Sequence, residues 1–222
     1  IDTYLFAIKE NKKNKVYDEL WESEVLMDIG YNYELLKDNE NSALFFSKSI
    51  DILQKICSKN EKEKSFDVDT WVDQISTLAY RNIRLGSLLN DKSILQKSIN
   101  YNLSHIDTLN KYTELLDIRS DYSSDYVHSY YTIGDAYSYM GEFDEAISYY
   151  KKSLDEITKY DSANYQQIME LQYEIVTNCD SLNDYLNANK FYALQFESLE
   201  KWKGPQYEVS FALKEKKSPV GS

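Results

Sequence analysis

The sequence predicts an all-α protein, a right-handed superhelical array of antiparallel helical hairpins. Three observations predict it. Between Tyr126 and Tyr160 apolar residues recur at the 3.6-residue spacing of two amphipathic helices joined by a tight turn. The same pattern returns upstream, where Met27–Leu53 lies over Tyr131–Ile157 without a gap. Glycine and proline are scarce, at six and two in 222 residues, and both prolines, Pro205 and Pro219, stand in the C-terminal tail. Nothing before them is forced to break a helix.

The stretch 126–160 carries the clearest hairpin. Tyr130, Ile133, Gly134 and Tyr137 share one face of its first helix, and Phe143, Ala146, Ile147, Tyr150, Ser153, Leu154 and Ile157 continue the spacing in the second. Gly141, between Met140 and Glu142, suits the left-handed residue that ends a helix. Gly134 costs roughly 1 kcal/mol relative to alanine inside a helix. Close approach of the partner helix is the physical reason to accept that cost, and Ala146 and Ser153 are the small residues expected to face it. In the upstream copy Ile29-Gly30 falls on Ile133-Gly134 and Tyr33 on Tyr137. Ser42, Phe46 and Ser49 fall on Ala146, Tyr150 and Ser153, while Lys37 takes the place of Gly141. This succession of aromatic, Ile-Gly, Tyr, Gly-x-Phe, Ala, Tyr and Ser resembles the tetratricopeptide repeat.

In chain order, residues 1–15 read as the end of a preceding helix. Its apolar face is Tyr4, Leu5 and Ile8, with basic residues from Lys9 to Lys15 at its C-terminal turn. The repeat body is expected over 16–203, in units of about 16–59, 68–116, 122–160 and 162–203. Residues 58–69 read as an inter-repeat loop with Asp67 or Asp69 as a helix N-cap. In the second unit Leu85-Gly86 is placed on Ile133-Gly134, followed by Leu89, Leu95, Ser98 and Ile106. Asn102 and His105 then fall where an aromatic and a small residue are wanted. In the fourth unit Ile175, Tyr185, Ala188 and Tyr192 keep the pattern, Val176 replaces the glycine and Asn183 the turn glycine. The successive spacings along Gly30, Gly86, Gly134 and Val176 are 56, 48 and 42. Each exceeds the usual period of about 34, which calls for longer helices or loops. Gly204-Pro205 ends the last helix. In 204–222 the alternation of Tyr207, Val209, Phe211 and Leu213 has the period of a strand. That segment suits the start of a following domain, an occupant of the groove, or a disordered tail.

Composition narrows the function classes. A formal charge of −12 and a pI near 4.7 argue against nucleic acid, whose binding rests on Lys and Arg neutralising phosphates. No apolar run reaches the length of a membrane span. Cys57 and Cys179, far apart, make neither a disulfide framework nor a metal site, and fit a reducing, cytoplasmic setting. The chain begins at Ile1 rather than Met, as a fragment would. His105 and His128 sit in no catalytic motif, and there is no Gly-rich phosphate loop, metal-ligand spacing or nucleophile elbow. Asp144 and Glu145 read as solvated charges. The expectation is therefore a protein without enzyme activity, cofactor or metal.

The resemblance implies a binding module. Stacked hairpins present an extended concave face lined by the first helix of each pair. Carried over by position, the inward residues are Glu24, Met27, Asp28, Tyr31 and Glu34, then Tyr80, Arg84, Ser87 and Asn90. The third unit adds His128, Tyr131, Asp135 and Ser138, and the fourth Glu170, Tyr173, Glu174 and Thr177. Members of the family that hold a terminal carboxylate use a basic clamp here, whereas this set is acidic and tyrosine-rich with Arg84 its one base. It suits a protein or peptide with cationic and apolar groups, since tyrosine gives stacking area and carboxylates give charge-assisted bonds. Two roles stay open: an interaction scaffold, or the peptide-sensing part of a larger bacterial signalling or transcription regulator, which the extended repeats also resemble. A regulatory module fused to an enzyme such as a protease is a third.

Overall fold

The computed structural model describes residues 1–13, 17–60, 68–116 and 122–203. Among these residues it holds nine α-helices and no strand. They are α1 (Asp2–Asn11), α2 (Glu19–Leu35), α3 (Asn39–Asn60), α4 (Val68–Leu89), α5 (Lys92–Leu116), α6 (Ser123–Met140), α7 (Phe143–Tyr160), α8 (Tyr165–Ser181) and α9 (Tyr185–Lys203). The expected cap Asp67, the end of the basic cluster at Lys15, Gly204-Pro205 and the alternating segment Tyr207–Leu213 lie outside the described residues.

Four antiparallel hairpins, α2–α3, α4–α5, α6–α7 and α8–α9, stack so that each second helix packs on the next first helix. The core lies in the seams. Met27, Phe46, Ile50 and Leu53 of the first hairpin pack against Ile75, Leu78 and Leu85 of α4. Ile83, Leu95, Ile99 and Leu109 pack against Tyr126, Ile133 and Ala136 of α6. Val127, Ile147, Tyr150 and Ile157 pack against Ile168, Leu171 and Ile175 of α8. A chain of local seams of this kind is an α-solenoid, in which each unit is stabilised by its neighbours. At the N-terminal end α1 buries Ile8 on α2. The buried Glu22 is held there by Lys12 at 2.8 Å and by the Tyr17 hydroxyl.

One turn recurs in all four hairpins. Lys37, Asn90, Gly141 and Asn183 have positive φ of 60°, 51°, 77° and 58°. Each left-handed residue bonds the carbonyl three residues back and the next amide bonds the carbonyl five back, as in Asp91 N–H to Gly86 O at 2.9 Å and Glu142 N–H to Tyr137 O at 2.9 Å. The residue after it is an aspartate in three turns, Asp38, Asp91 and Asp184, and each caps the following helix through a backbone amide of Asn41, Ser93 or Asn187. Hydrogen bonds from the Asn41, Ser93 and Asn187 side chains, joined by those from the amides, hold all three carboxyls below the usual range. The two-residue turn thus places asparagine twice, glycine once and lysine once at φ > 0, and three of the four turns follow that residue with a capping aspartate.

The glycines at the repeat position make room for a knob. A Cβ on Gly30 would meet the Phe46 ring at 2.4 Å, on Gly134 the Tyr150 ring at 2.7 Å, and on Gly86 the Leu95 side chain at 2.8 Å. Gly134 therefore faces Tyr150, not the Ala146 expected from the sequence. Beside each knob a side chain of the second helix donates to a carbonyl of the first. Ser49 Oγ bonds Ser23 O at 2.7 Å, Ser98 Oγ bonds Ala79 O at 2.7 Å, Ser153 Oγ bonds Val127 O at 2.8 Å and Gln195 Nε2 bonds Met169 O at 3.1 Å. These equivalences correct the second unit. Leu95 and Ser98 of α5 do what Tyr150 and Ser153 do in α7, so the hairpin is shorter by seven residues around its turn at Asn90. Asn102 and His105 then need be neither knob nor small residue. Both are fully buried, and His105 Nδ1 lies 2.6 Å from Ser129 Oγ of α6. Burial pushes this imidazole down to about 4, with the His128 charge adding to the effect.

Arg81 is a buried cation in the first seam. Its guanidinium from α4 reaches the Ser23 and Ser49 hydroxyls, at 2.7 Å for Ser49, where these two serines already bond each other's carbonyls. Burial lowers its pKa against the pull of Glu24, Tyr31 and Asp28. Arg81→Ala is expected to cost about 2 kcal/mol through the cavity it leaves. Arg81→Met, which keeps most of the volume without the desolvated charge, is expected to recover at least half of that. Urea unfolding of the two variants checks it, and equal losses would show that the hydrogen bonds rather than the volume matter.

Candidate functional site

The first helices α2, α4, α6 and α8 carry two sets of interacting tyrosines and carboxylates. Across α2 and α4, Tyr31 and Tyr80 are joined hydroxyl to hydroxyl at 2.7 Å. Arg84 bonds both oxygens of Glu34 at 2.6 Å and lies over the Tyr31 ring, 5.4 Å from its centroid. Burial works against the Arg84 charge, but the bonds and charge of Glu34 win and raise its pKa. Arg84 thus spends its charge inside the protein, on Glu34.

Across α6 and α8 the balance is acidic. Asp135 accepts a hydrogen bond from the fully buried Tyr150 hydroxyl at 2.6 Å. Burial pushes its carboxyl up to about 7, the Tyr150 bond works against this and the Glu174 charge adds to it. Glu174 is raised as well, by burial and then by Glu170. Tyr131 packs edge-on against Tyr150 at 5.7 Å, and burial together with Asp135, Glu174 and Glu170 suppresses its ionisation. Tyr139, half-exposed on α6, stands one turn after Asp135, and burial and then the charge of Asp135 raise its pKa against the pull of Arg84.

Of the residues expected on the inner face, Tyr31, Arg84, Tyr131, Asp135 and Glu174 are brought into these sets. Tyr173 and Thr177 are exposed on α8, where Thr177 Oγ bonds the Tyr173 carbonyl at 3.1 Å. His128 is exposed near the start of α6. Two expectations are corrected. Met27 is buried in the seam with Phe46 and Leu53, because the apolar stripe of α2 is wide enough to take it in. Asn90 is the left-handed turn residue after α4, because that helix ends early in the shortened hairpin. A residue missed by the sequence reading is Tyr139, one helical turn after Asp135, and that i, i+4 spacing is the signal that would have found it. Among the described residues no group of His, Cys, Asp and Glu is arranged to hold a metal ion, and no helix is long and apolar enough to cross a membrane.

Residues 127–157, from the first turns of α6 to the end of α7, match the family model of the tetratricopeptide repeat. No curated protein matches the sequence. Among solved structures the chain is similar to BtubC (BKLC) from P. vanneervenii, at 11% identity and a TM-score of 0.63, over 90% of this chain and 72% of that one. That likeness is one of fold. A second match, to the MamA protein, has 19% identity and a TM-score of 0.35 over 86% of this chain and 97% of that one. The matched repeat coincides with the hairpin whose knob is Tyr150 and whose turn is Gly141, and three further hairpins repeat its turn and its helix-to-helix bond. The α6–α7 hairpin thus carries a tetratricopeptide repeat, within a stack of four antiparallel hairpins.

Proposed function

We propose that this chain is a protein-interaction module that holds a peptide segment of its partner on the shared inner face of α2, α4, α6 and α8. The observation that carries the reading is the composition of that face. Tyr31, Tyr80, Tyr131, Tyr139 and Tyr173 offer aromatic surface, and Asp135, Glu170 and Glu174 lie among them, while Arg84 is already paired with Glu34. Tyrosine gives contact area with few torsions to freeze, and partly desolvated carboxylates attract a cation more strongly than exposed ones do. The segment that fits is basic and apolar.

Tyr131→Ala and Tyr173→Ala are expected to weaken a captured partner by about 2 kcal/mol each, the scale of an aromatic hot spot. Tyr173 projects into solvent and its removal leaves the fold untouched, whereas Tyr131 also supports Tyr150 and its variant needs a melting control. Capture of a partner with the parent chain, followed by calorimetry on both variants, is the test. Parent-like affinity in two folded variants would move the site off this face.

A further inference from the structure

Every second helix except the last leans on a following helix. α3, α5 and α7 each pack on the first helix of the next hairpin, whereas α9 packs on α8 and no described helix follows to cover its outer side. Yet α9 keeps apolar residues where the other second helices make that contact. The bond from Gln195 to Met169 sets Gln195 in the place of Ser153, so Phe196 and Leu199 fall on Leu154 and Ile157 of α7. Those two belong to the seam with α8, where Ile157 is 2% exposed. On α9 the matching Phe196 and Leu199 are only partly buried, and Ala193 beside them is exposed. Leu186, two turns before Ala193 on the same side of the helix, is 84% exposed. An apolar row left open on one side of a single helix is the mark of a contact surface.

Charge selects the occupant. The chain carries −12 in all and repels its own copies through any acidic face, but α9 sets Lys190, Lys201 and Lys203 against Glu197 and Glu200. These charges also complement one another when α9 is laid against a reversed copy of itself. With a two-fold axis between Ala193 and Leu194, Lys190 and Glu197 lie equally far from the axis and on the same flank, so each meets the other across the contact. Among the described residues neither is held in an ion pair within the chain. Leu186 falls opposite Lys201 of the other copy, whose methylene stem can cover it, and the small Ala193 at the axis lets the two helices approach closely. We propose that Leu186, Ala193, Phe196 and Leu199 seat α9 of a second copy of this chain, running antiparallel, with Lys190 of each copy paired with Glu197 of the other. Such a contact uses one patch on both copies and closes at the dimer. It does not use the first helices, so it stands or falls apart from the peptide-binding reading.

The test is sedimentation equilibrium of the full chain against concentration. One helix of 19 residues is a small patch beside the roughly 800 Å² per partner of a standard interface, so half-dimerisation is expected at about 10–100 µM. Ala193→Glu sets two like charges at the axis and is expected to weaken the dimer about tenfold or more. Its side chain is exposed, so this variant is expected to melt like the parent. Lys190→Glu is expected to weaken the dimer about threefold to tenfold, and Lys190→Glu/Glu197→Lys to restore it. The two positions are seven residues apart on α9, beyond the three or four that neighbours on a helix span, so the rescue reports a contact between copies. A parent that stays monomeric at several times the expected concentration overturns the proposal. So does a parent-like constant for Ala193→Glu, which puts the contact elsewhere on the chain. A mass that climbs past the dimer, as a head-to-tail contact gives, overturns the two-fold pairing, and a double variant as weak as Lys190→Glu overturns the antiparallel register.

Discussion

Gly134→Leu is expected to cost about 3–5 kcal/mol. Overpacking alone accounts for about 1–3 kcal/mol of this. The remainder comes from the Tyr150 ring, which stands 2.7 Å from where the new Cβ would be and cannot swing aside cheaply. That ring is 1% exposed, and its hydroxyl is tied to Asp135 at 2.6 Å. Displacing it leaves a buried hydroxyl and a buried carboxylate without each other, and a hydrogen bond to such a group is worth about 1.5–3 kcal/mol. Gly141→Ala is the internal comparison. It puts a Cβ at φ 77° where no atom lies within 4 Å, so only the left-handed strain of about 1–2 kcal/mol applies. Urea unfolding with parent, Gly134→Leu and Gly141→Ala checks both. Equal losses would mean that the close approach of α6 and α7 is not what the glycine serves.

The same packing explains what could be read from the sequence and what could not. The helices, their antiparallel pairing and the third and first hairpins were legible because glycine, knob and donor recur there at fixed offsets: Gly30, Phe46 and Ser49 repeat as Gly134, Tyr150 and Ser153. The second hairpin kept its apolar face but not its register. A shortening of seven residues is close to two helical turns, so the hydrophobic stripe of α5 survives a shift of that size almost unchanged. Leu95 and Ser98 then look acceptable in either register, and only the Leu95 contact with Gly86 and the Ser98 bond to Ala79 decide. Asn90 was misplaced by the same ambiguity. Met27 was misplaced because a residue on the border of the stripe goes in or out according to how the next hairpin leans. Arg81 gave no signal at all, since an arginine on a helix reads as surface until its two serine partners from other helices are known. Of the inner face, the tyrosines and carboxylates could be listed by position. That Arg84 is neutralised by Glu34, and that Asp135 is held by Tyr150, are facts about neighbours on other helices that no single helix pattern contains.

Asp135 is expected to make the stability of this protein depend on pH in the sense opposite to that of an ordinary surface carboxylate. Its carboxyl lies at about 7 in the folded chain against 3.8 for a free aspartate, so between those values the folded state binds the extra proton. Stability from this group is fully present below about pH 4 and is lost as the pH rises through 7. The groups that face it set that sign: burial first, then Glu174 from α8, against the Tyr150 hydroxyl of α7. A shift of about three units corresponds to about 4 kcal/mol at most. Asp135→Asn carries no charge at any pH and keeps an oxygen for the Tyr150 hydroxyl. Parent and variant are therefore expected to unfold alike near pH 4, and the variant to be the more stable by a few kcal/mol at pH 8. His105 and the capping aspartates Asp38, Asp91 and Asp184 are shifted downward and weaken the fold in acid, but they do so equally in both proteins and cancel in the difference. Urea unfolding of the pair across that range is the measurement. Profiles that run parallel from pH 4 to pH 8 would mean that Asp135 is charged throughout, and that its bond to Tyr150 outweighs its burial.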